Sequence, residues 1–481
     1  MTRPASAALA EQVLPLIRTR AVLYRWRASN AHGSRMHEAV DILEASMAST
    51  DPKDVYAVTT KAIASAMKVI ARADDSSGII GDACRRLLAL HPATARAAHA
   101  PAAALVKWMV TFQFDGDVDY FNLDPVAYAP ALGEIGLARY RKELSAVETK
   151  LGPRPSEDAR WSNPHSHEWF VLGWNEQRLA VLDRDIDAII RTHARDRRVA
   201  AWLQDTAEAF EEIGEIDLAI DWARQAADFD DGHQAKRAAD YLADLLAAHR
   251  PAELLPERLE AFRRWPTSST AAQLHGVAAD AWPEYASEVN ARLAPLPRDA
   301  VLFTLLTLKD LPRAWQLAHE LQLADTDAWS RLAMAYEKVD ALAVLPVLEQ
   351  LARGDLVEAN AKGYRAAAVR LDRMRAIATG TGHAGEVDEL IAELRQANRH
   401  RPPATENLCA SPQVIMSVFC PRRSREEGAS ASPRLAPRFP RVRRVEATDR
   451  SHRQSPGPAL RREADTLPLR GEGGRPHTRS R

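Results

Sequence analysis

Asp115, Asp117 and Asp119 stand at alternate positions, as oxygen ligands do where a calcium loop opens. The sixth position of that loop is Tyr120 in place of the turn glycine. The twelfth is Val126 in place of the bidentate glutamate that closes such a site, so calcium is not expected there. His165 and His167, followed by Glu168, offer two imidazoles in a loop of Pro and Asn. No third ligand pattern accompanies them, and exposed loop histidines are the expectation. His37-Glu38 and His167-Glu168 each lack a second His four residues on, so neither forms a zinc-binding H-E-x-x-H helix. No glycine-rich phosphate loop, dinucleotide fingerprint or nucleophile elbow occurs. Cys84 lies on a face with Ile80, Leu87 and Leu88, which reads as a buried small apolar residue. The turn around Arg72, Asp74, Asp75 and Ser76 is the remaining candidate. Its carboxylates sit at the positive end of the helix that follows, Ser76 or Ser77 can cap that helix, and Arg72 is expected to pair with an aspartate. Anion, metal or substrate binding at this turn is the competing reading. No catalytic residue, cofactor or metal is therefore assigned.

The elements that position these groups read almost entirely as helix. Residues 1–50 give two amphipathic helices separated at Asn30–Ser34. Asp51-Pro52 starts a third, since Asp caps free amides and Pro at the first position loses a donor that had no partner. Its apolar residues Val55, Val58, Ile63, Met67 and Ile70 follow helical spacing as far as about Arg72. Further helices are expected at about 79–91, 101–114 and 133–148. Residues 1–150 form an N-terminal helical domain and 151–175 a polar linker. From 176 to 401, helices alternate with short turns, the pattern of stacked helical hairpins. Val301–Leu308 is apolar enough for a strand, but Asp299 before it and its neighbours favour helix. Eleven tryptophans spread along the chain read as core anchors rather than base-stacking platforms.

Residues 200–233 are the clearest repeat. Leu203, Ala207 and Phe210 share one helical face, Gly214 closes the turn, and Ala219 and Ala226 lie on a second helix. This segment resembles a tetratricopeptide unit, with Asp231 in place of the family's terminal Pro. Ala261 and Pro266 fit a hairpin about one repeat later. Trp329, Leu332, Ala333 and Tyr336 match the first-helix pattern, although Pro346 interrupts the match that follows. The resemblance implies an all-α, right-handed superhelical array. Its concave face would carry Ala201, Gln204, Glu208, Glu211 and Glu212, an acidic stripe suited to a basic partner. A plain solvated helix face is the alternative.

Two other stretches, Val69–Asp82 and Leu132–Arg141, resemble motifs of the helical region that follows SWIM-type zinc fingers in a bacterial family of uncharacterised proteins. The likeness extends over most of residues 20–400. Full-length members carry a preceding CxC…CxH finger, and this sequence has no such motif. Zinc binding and a nucleic-acid role through that finger do not carry over.

The formal net charge of −1 conceals an asymmetry. Residues 402–481 hold 16 Arg, no Lys and 8 acidic residues, a balance of +8 that leaves the first 401 residues at −9. An acidic body disfavours a duplex-binding surface, which needs clustered cations. Rich in Pro, Ser and Arg, the tail has no apolar period with which to offset its ordering entropy, and disorder is expected. An out-of-frame translation is the other reading of the tail. Three cysteines, Cys84, Cys409 and Cys420, cannot build a disulfide framework and fit a reducing compartment. No signal peptide or transmembrane segment is read, so a cytoplasmic location is expected. The expected function is a non-enzymatic helical-repeat scaffold for protein–protein interaction. A nucleic-acid-associated protein working with a SWIM-type finger, and an enzyme using the 72–78 turn, are the alternatives.

Overall fold

A computed structural model describes residues 5–398, apart from 117, 119, 157, 158, 160, 161, 358 and 359. The tail 402–481, with Cys409 and Cys420, lies outside the described residues, as do Asp117 and Asp119 of the calcium-like loop. The described residues form helices and the loops between them, with no strand and one isolated bridge, Leu23 to Ala73.

The first seven helices are α1 (Ala5–Ile17), α2 (Trp26–Ser46), α3 (Pro52–Ile70), α4 (Ile79–Ala97), α5 (Ala102–Phe114), α6 (Pro125–Leu151) and α7 (Ser166–Asp183). Asp51 caps α3 as its type demands, its carboxylate accepting from Lys53 N–H at 2.8 Å. The expected break at Asn30–Ser34 is absent. Gly33 lies inside α2 because a Cβ there would stand 2.5 Å from Ile79 Cγ2, so a missing side chain lets α2 and α4 approach. The break falls at residues 18–25 instead. Helix α4 also runs past Pro92 to Ala97, beyond the expected end at 91. Its proline forfeits one ladder bond but is buried, so packing outweighs that local loss. The helix expected at 133–148 is the second limb of α6, which bends at Gly133, whose φ is 61°. The segment expected as a linker, 151–175, contains the start of α7. Trp169 and Leu172 on that helix are buried in one core with residues of α1–α6.

After α7 the chain forms a short helix α8 (Ile186–Ile189), which passes into a π-helical turn at Ile190–Ala194. Hairpins follow: α9 (Ala200–Glu212) with α10 (Ile216–Ala227), then α11 (His233–His249) with α12 (Pro251–Arg264). The remainder comprises α13 (Ser268–Ala278), α14 (Trp282–Leu293), α15 (Pro297–Leu306), α16 (Leu311–Glu320), α17 (Thr326–Tyr336), α18 (Leu345–Asp355), α19 (Ala361–Ala378) and α20 (Ala384–Asn398). The strand-like run 301–308 is thus mostly α15. Helix α10 packs between α9 and α11, and α9 also touches α11 directly. Further on, α13 touches α15 and α15 touches α17. Leu203, Ala207, Phe210, Ala219 and Ala226 are all buried, and small side chains along α10 permit the close approach.

Four polar bonds between these helices share a 33-residue interval, among others that span 18 to 37 residues. Arg250 reaches Asp217, Arg264 reaches Asp231 and Gln273 reaches Asp240, each across 33 residues, at 2.5, 2.7 and 3.0 Å. The amide of Ala201 points at Gln234 Oε1 over the same interval, at 3.4 Å. Asp240 is the densest of these nodes. Desolvation works against its charge, but Lys236, Arg258 and Gln273 bind the carboxylate and hold its pKa below the usual range.

Candidate functional site

The 72–78 turn is a structural knot. Asp75 does the capping expected of Ser76 or Ser77. Its two carboxylate oxygens accept from the Ile80 and Gly81 amides at 2.9 and 2.8 Å, at the positive start of α4. Ser77 donates to Asn30 Oδ1 of α2 at 2.5 Å. The Asp74 amide donates to the Leu23 carbonyl at 2.8 Å, while its carboxylate accepts from Ser76 N–H at 3.2 Å. Arg72 does not pair with an aspartate as expected; its guanidinium donates to the Thr19 carbonyl. Arg72, Asp74, Asp75 and Ser76 therefore tie the loop after α1 to the start of α4.

The stripe on α9 is partly as expected. Glu208 and Glu211 are exposed, but Gln204 is buried at 4% exposure and donates to Glu208 Oε1 at 2.7 Å. Glu212 turns away toward α7. Arg178 donates to both its oxygens at 2.6 and 2.7 Å, and to both oxygens of Asp124 at 2.9 Å. Desolvation opposes the Arg178 charge, but these two carboxylates outweigh it and raise its pKa above the ordinary range. Glu212 thus stays exposed but shares the Arg178 charge with Asp124, a pairing set by a residue distant in sequence. Glu211 accepts from the Tyr241 hydroxyl of α11 at 2.7 Å. Carboxylates and cations stand together where α9 meets α11. Desolvation, and next the charge of Glu208, push the Asp205 carboxyl up against the pull of Arg195 and Arg237. Desolvation, then Glu211 and Glu208, likewise push the Tyr241 phenol up.

The other candidates are placed apart. His167 Nε2 donates to the Gln113 carbonyl at 2.9 Å, while His165 meets Glu168 at 3.2 Å, so the two imidazoles do not converge. His37 lies against Arg86 and the Ile79 carbonyl, at 3.1 and 3.2 Å. Among the described residues no group of three or more metal-ligating side chains converges. Cys84 is fully buried, and desolvation, with Asp75 beside it, pushes its thiol up to about 12, which leaves little thiolate. Tryptophans are core or half-buried as expected with one exception among the described residues: Trp26 is 56% exposed.

Two features have no signal in the sequence. The first is a closed ring of buried side chains joining α5, α6 and α7. Gln113 donates to the Tyr140 hydroxyl at 2.7 Å, Tyr140 donates to Asn175 Oδ1 at 2.6 Å, and Asn175 donates back to Gln113 Oε1 at 3.1 Å. A similar chain runs from Thr60 through His91 to Tyr128, at 3.0 and 2.9 Å. The second is a cleft of about 720 Å³ beside α7 and the π-helical turn, lined in part by Arg154, Trp169, Glu176, Asp183 and Arg191. Its charges are mostly spent on each other, Arg154 with Glu176 at 2.6 Å and Asp183 with Arg141 at 2.7 Å, so it selects neither sign of ion. No helix among the described residues is long and apolar enough to cross a membrane. No protein-family model matches the chain, and no curated protein matches it.

Proposed function

We propose that the chain is a non-enzymatic helical-repeat scaffold, a tetratricopeptide-like right-handed superhelix that binds an extended basic segment of another protein along the first helices of its hairpins. The 33-residue step of the bonds Arg250–Asp217, Arg264–Asp231 and Gln273–Asp240 carries this reading, because equivalent positions on successive hairpins meet at such an interval. Stacked repeats present a long continuous surface, which suits extended ligands. Asp205, Glu208 and Glu211 are exposed on α9, which touches α11, and in this reading they belong to such a surface. The exposed carboxylates of Glu208 and Glu211 supply the charge that would attract cations. Kinship with the helical region of SWIM-associated proteins is part of the same proposal. The test is titration of a labelled Arg/Lys-rich peptide into the full chain. Binding should weaken with salt and be lost in Glu208→Lys/Glu211→Lys, while Glu284→Lys on α14 leaves it unchanged. Equal binding by the two charge-reversed chains would refute the proposal.

A further inference from the structure

We propose that the loop from Arg18 to Arg27 binds single-stranded nucleic acid, with Tyr24 and Trp26 stacking on bases and Arg18, Arg20, Arg25 and Arg27 meeting phosphates. The loop carries four arginines and no carboxylate. All four are exposed, and none forms an ion pair among the described residues. Between them stand the exposed side chains Val22, Tyr24 and Trp26, at 69%, 73% and 56% exposure. Outside this loop, Tyr120 and Phe170 are the exposed large aromatic rings among the described residues before α8, and neither stands between arginines.

The loop is also held in shape. Leu23 is buried at 4% exposure and bridges to Ala73, and its carbonyl accepts from the Asp74 amide and the Ser29 hydroxyl, both at 2.8 Å. Arg72 binds the Thr19 carbonyl. The knot at 72–78 thus has a use: it anchors the backbone at buried Leu23 and leaves the residues on both sides of it exposed. Arg25 is extended, with φ −113° and ψ 126°, and Trp26 opens α2. The Arg27 guanidinium lies 5.4 Å from the Trp26 ring centroid, a cation–π pair already built as a platform. Exposed aromatic rings interleaved with cations are the chemistry of single-strand binding, where stacking tolerates any base. A duplex hides its base faces, so the exposed rings have nothing to stack on. A bilayer would take its energy from buried apolar area, and the loop offers one large exposed aliphatic side chain, Val22, to it. A flexible single strand can touch the loop alone.

The experiment is fluorescence anisotropy of the full chain with labelled oligo(dT) and oligo(U), a matched duplex, and sedimentation with phosphatidylcholine/phosphatidylglycerol vesicles. The single strands should bind in a salt-dependent way, and more tightly than the duplex. Tyr24→Ala and Trp26→Ala should each weaken binding about tenfold, and Trp26→Phe should retain most of it. Arg25→Glu/Arg27→Glu should weaken binding and flatten its salt dependence. Both rings are exposed, so the alanine variants should melt with the wild type. The proposal is overturned if no single strand binds, if Tyr24→Ala/Trp26→Ala binds as well as wild type, or if the duplex binds as tightly. Vesicle binding that depends on the two rings, without oligonucleotide binding, would also overturn it in favour of a membrane.

Discussion

Helices α1–α7 and helices α9–α18 bury polar groups in different ways. In the first region, beside local bonds such as Thr59 to the Val55 carbonyl, side chains bond across helices in connected sets: Thr60 to His91 to Tyr128, and Gln113 to Tyr140 to Asn175. In the second they bond locally. Thr206 donates to the Trp202 carbonyl, Thr304 to the Ala300 carbonyl and Thr270 to the Trp265 carbonyl. A hairpin that satisfies its own polar groups can be stacked on a copy of itself with only apolar contact and surface pairs. A bundle whose polar groups need partners on other helices accepts one arrangement, because any other leaves donors buried and unmet. The first region is keyed, and the second is additive.

The comparison breaks first if the additive region lacks a true core. Phe210 is fully buried, and Phe210→Ala should cost roughly 3–5 kcal/mol in chemical denaturation. A loss under about 1 kcal/mol, the range of ordinary surface changes, would place the core elsewhere. Acid should unlock the keyed region next. Burial holds His91 at about 4, below its ordinary 6.5. Above pH 6.5 both folded and unfolded chains are neutral there. Between 6.5 and 4 the unfolded chain binds a proton that the folded chain refuses, so stability falls by up to about 3 kcal/mol and then levels off. His193, held at about 4 chiefly by burial, adds a second such loss. His32, lowered chiefly by burial, adds to the same window, so His91→Gln should remove part of the acid slope in unfolding free energy. An unchanged slope would show that His91 is not the group responsible.

The ring itself is probed by Tyr140→Phe, which strips Gln113 and Asn175 of a shared partner while keeping the volume. It should cost about 1–3 kcal/mol by thermal or urea unfolding. Thr206→Val, which removes only a local bond, should cost less, and the reverse order would blur the distinction between the regions. At the bottom of the scale is Arg353, which pairs with Glu349 and Glu393 at 2.9 and 3.0 Å on the surface. Arg353→Ala should cost under about 1 kcal/mol, as exposed ion pairs do. A larger loss would mean that surface pairs, rather than apolar contact, hold the hairpins together.

These differences also explain what could be read in advance. The faces of α3, α9 and α10 were legible because helical spacing and small residues act locally, and Val55, Leu203 and Ala219 are buried where their period puts them. The sequence suggests a break at Asn30–Ser34 because the reason for Gly33 within a helix is Ile79, a residue distant in sequence. Glu212 reads as a plain member of the exposed stripe because its partner Arg178 lies 34 residues away on another element. The Gln113–Tyr140–Asn175 ring left no trace, since a polar residue on an apolar face carries no mark of its partner. The acidic surface was legible in Glu208 and Glu211, and the caps in Asp51; the partner-dependent groups were not.

The most direct measurement of the central proposal is amide hydrogen exchange of the full chain with and without a basic peptide. The account predicts added protection concentrated on α9 and α11, around Glu208, Glu211 and Tyr241, and none of it in Glu208→Lys/Glu211→Lys. Protection confined to other helices, or unchanged by the charge reversal, would contradict it.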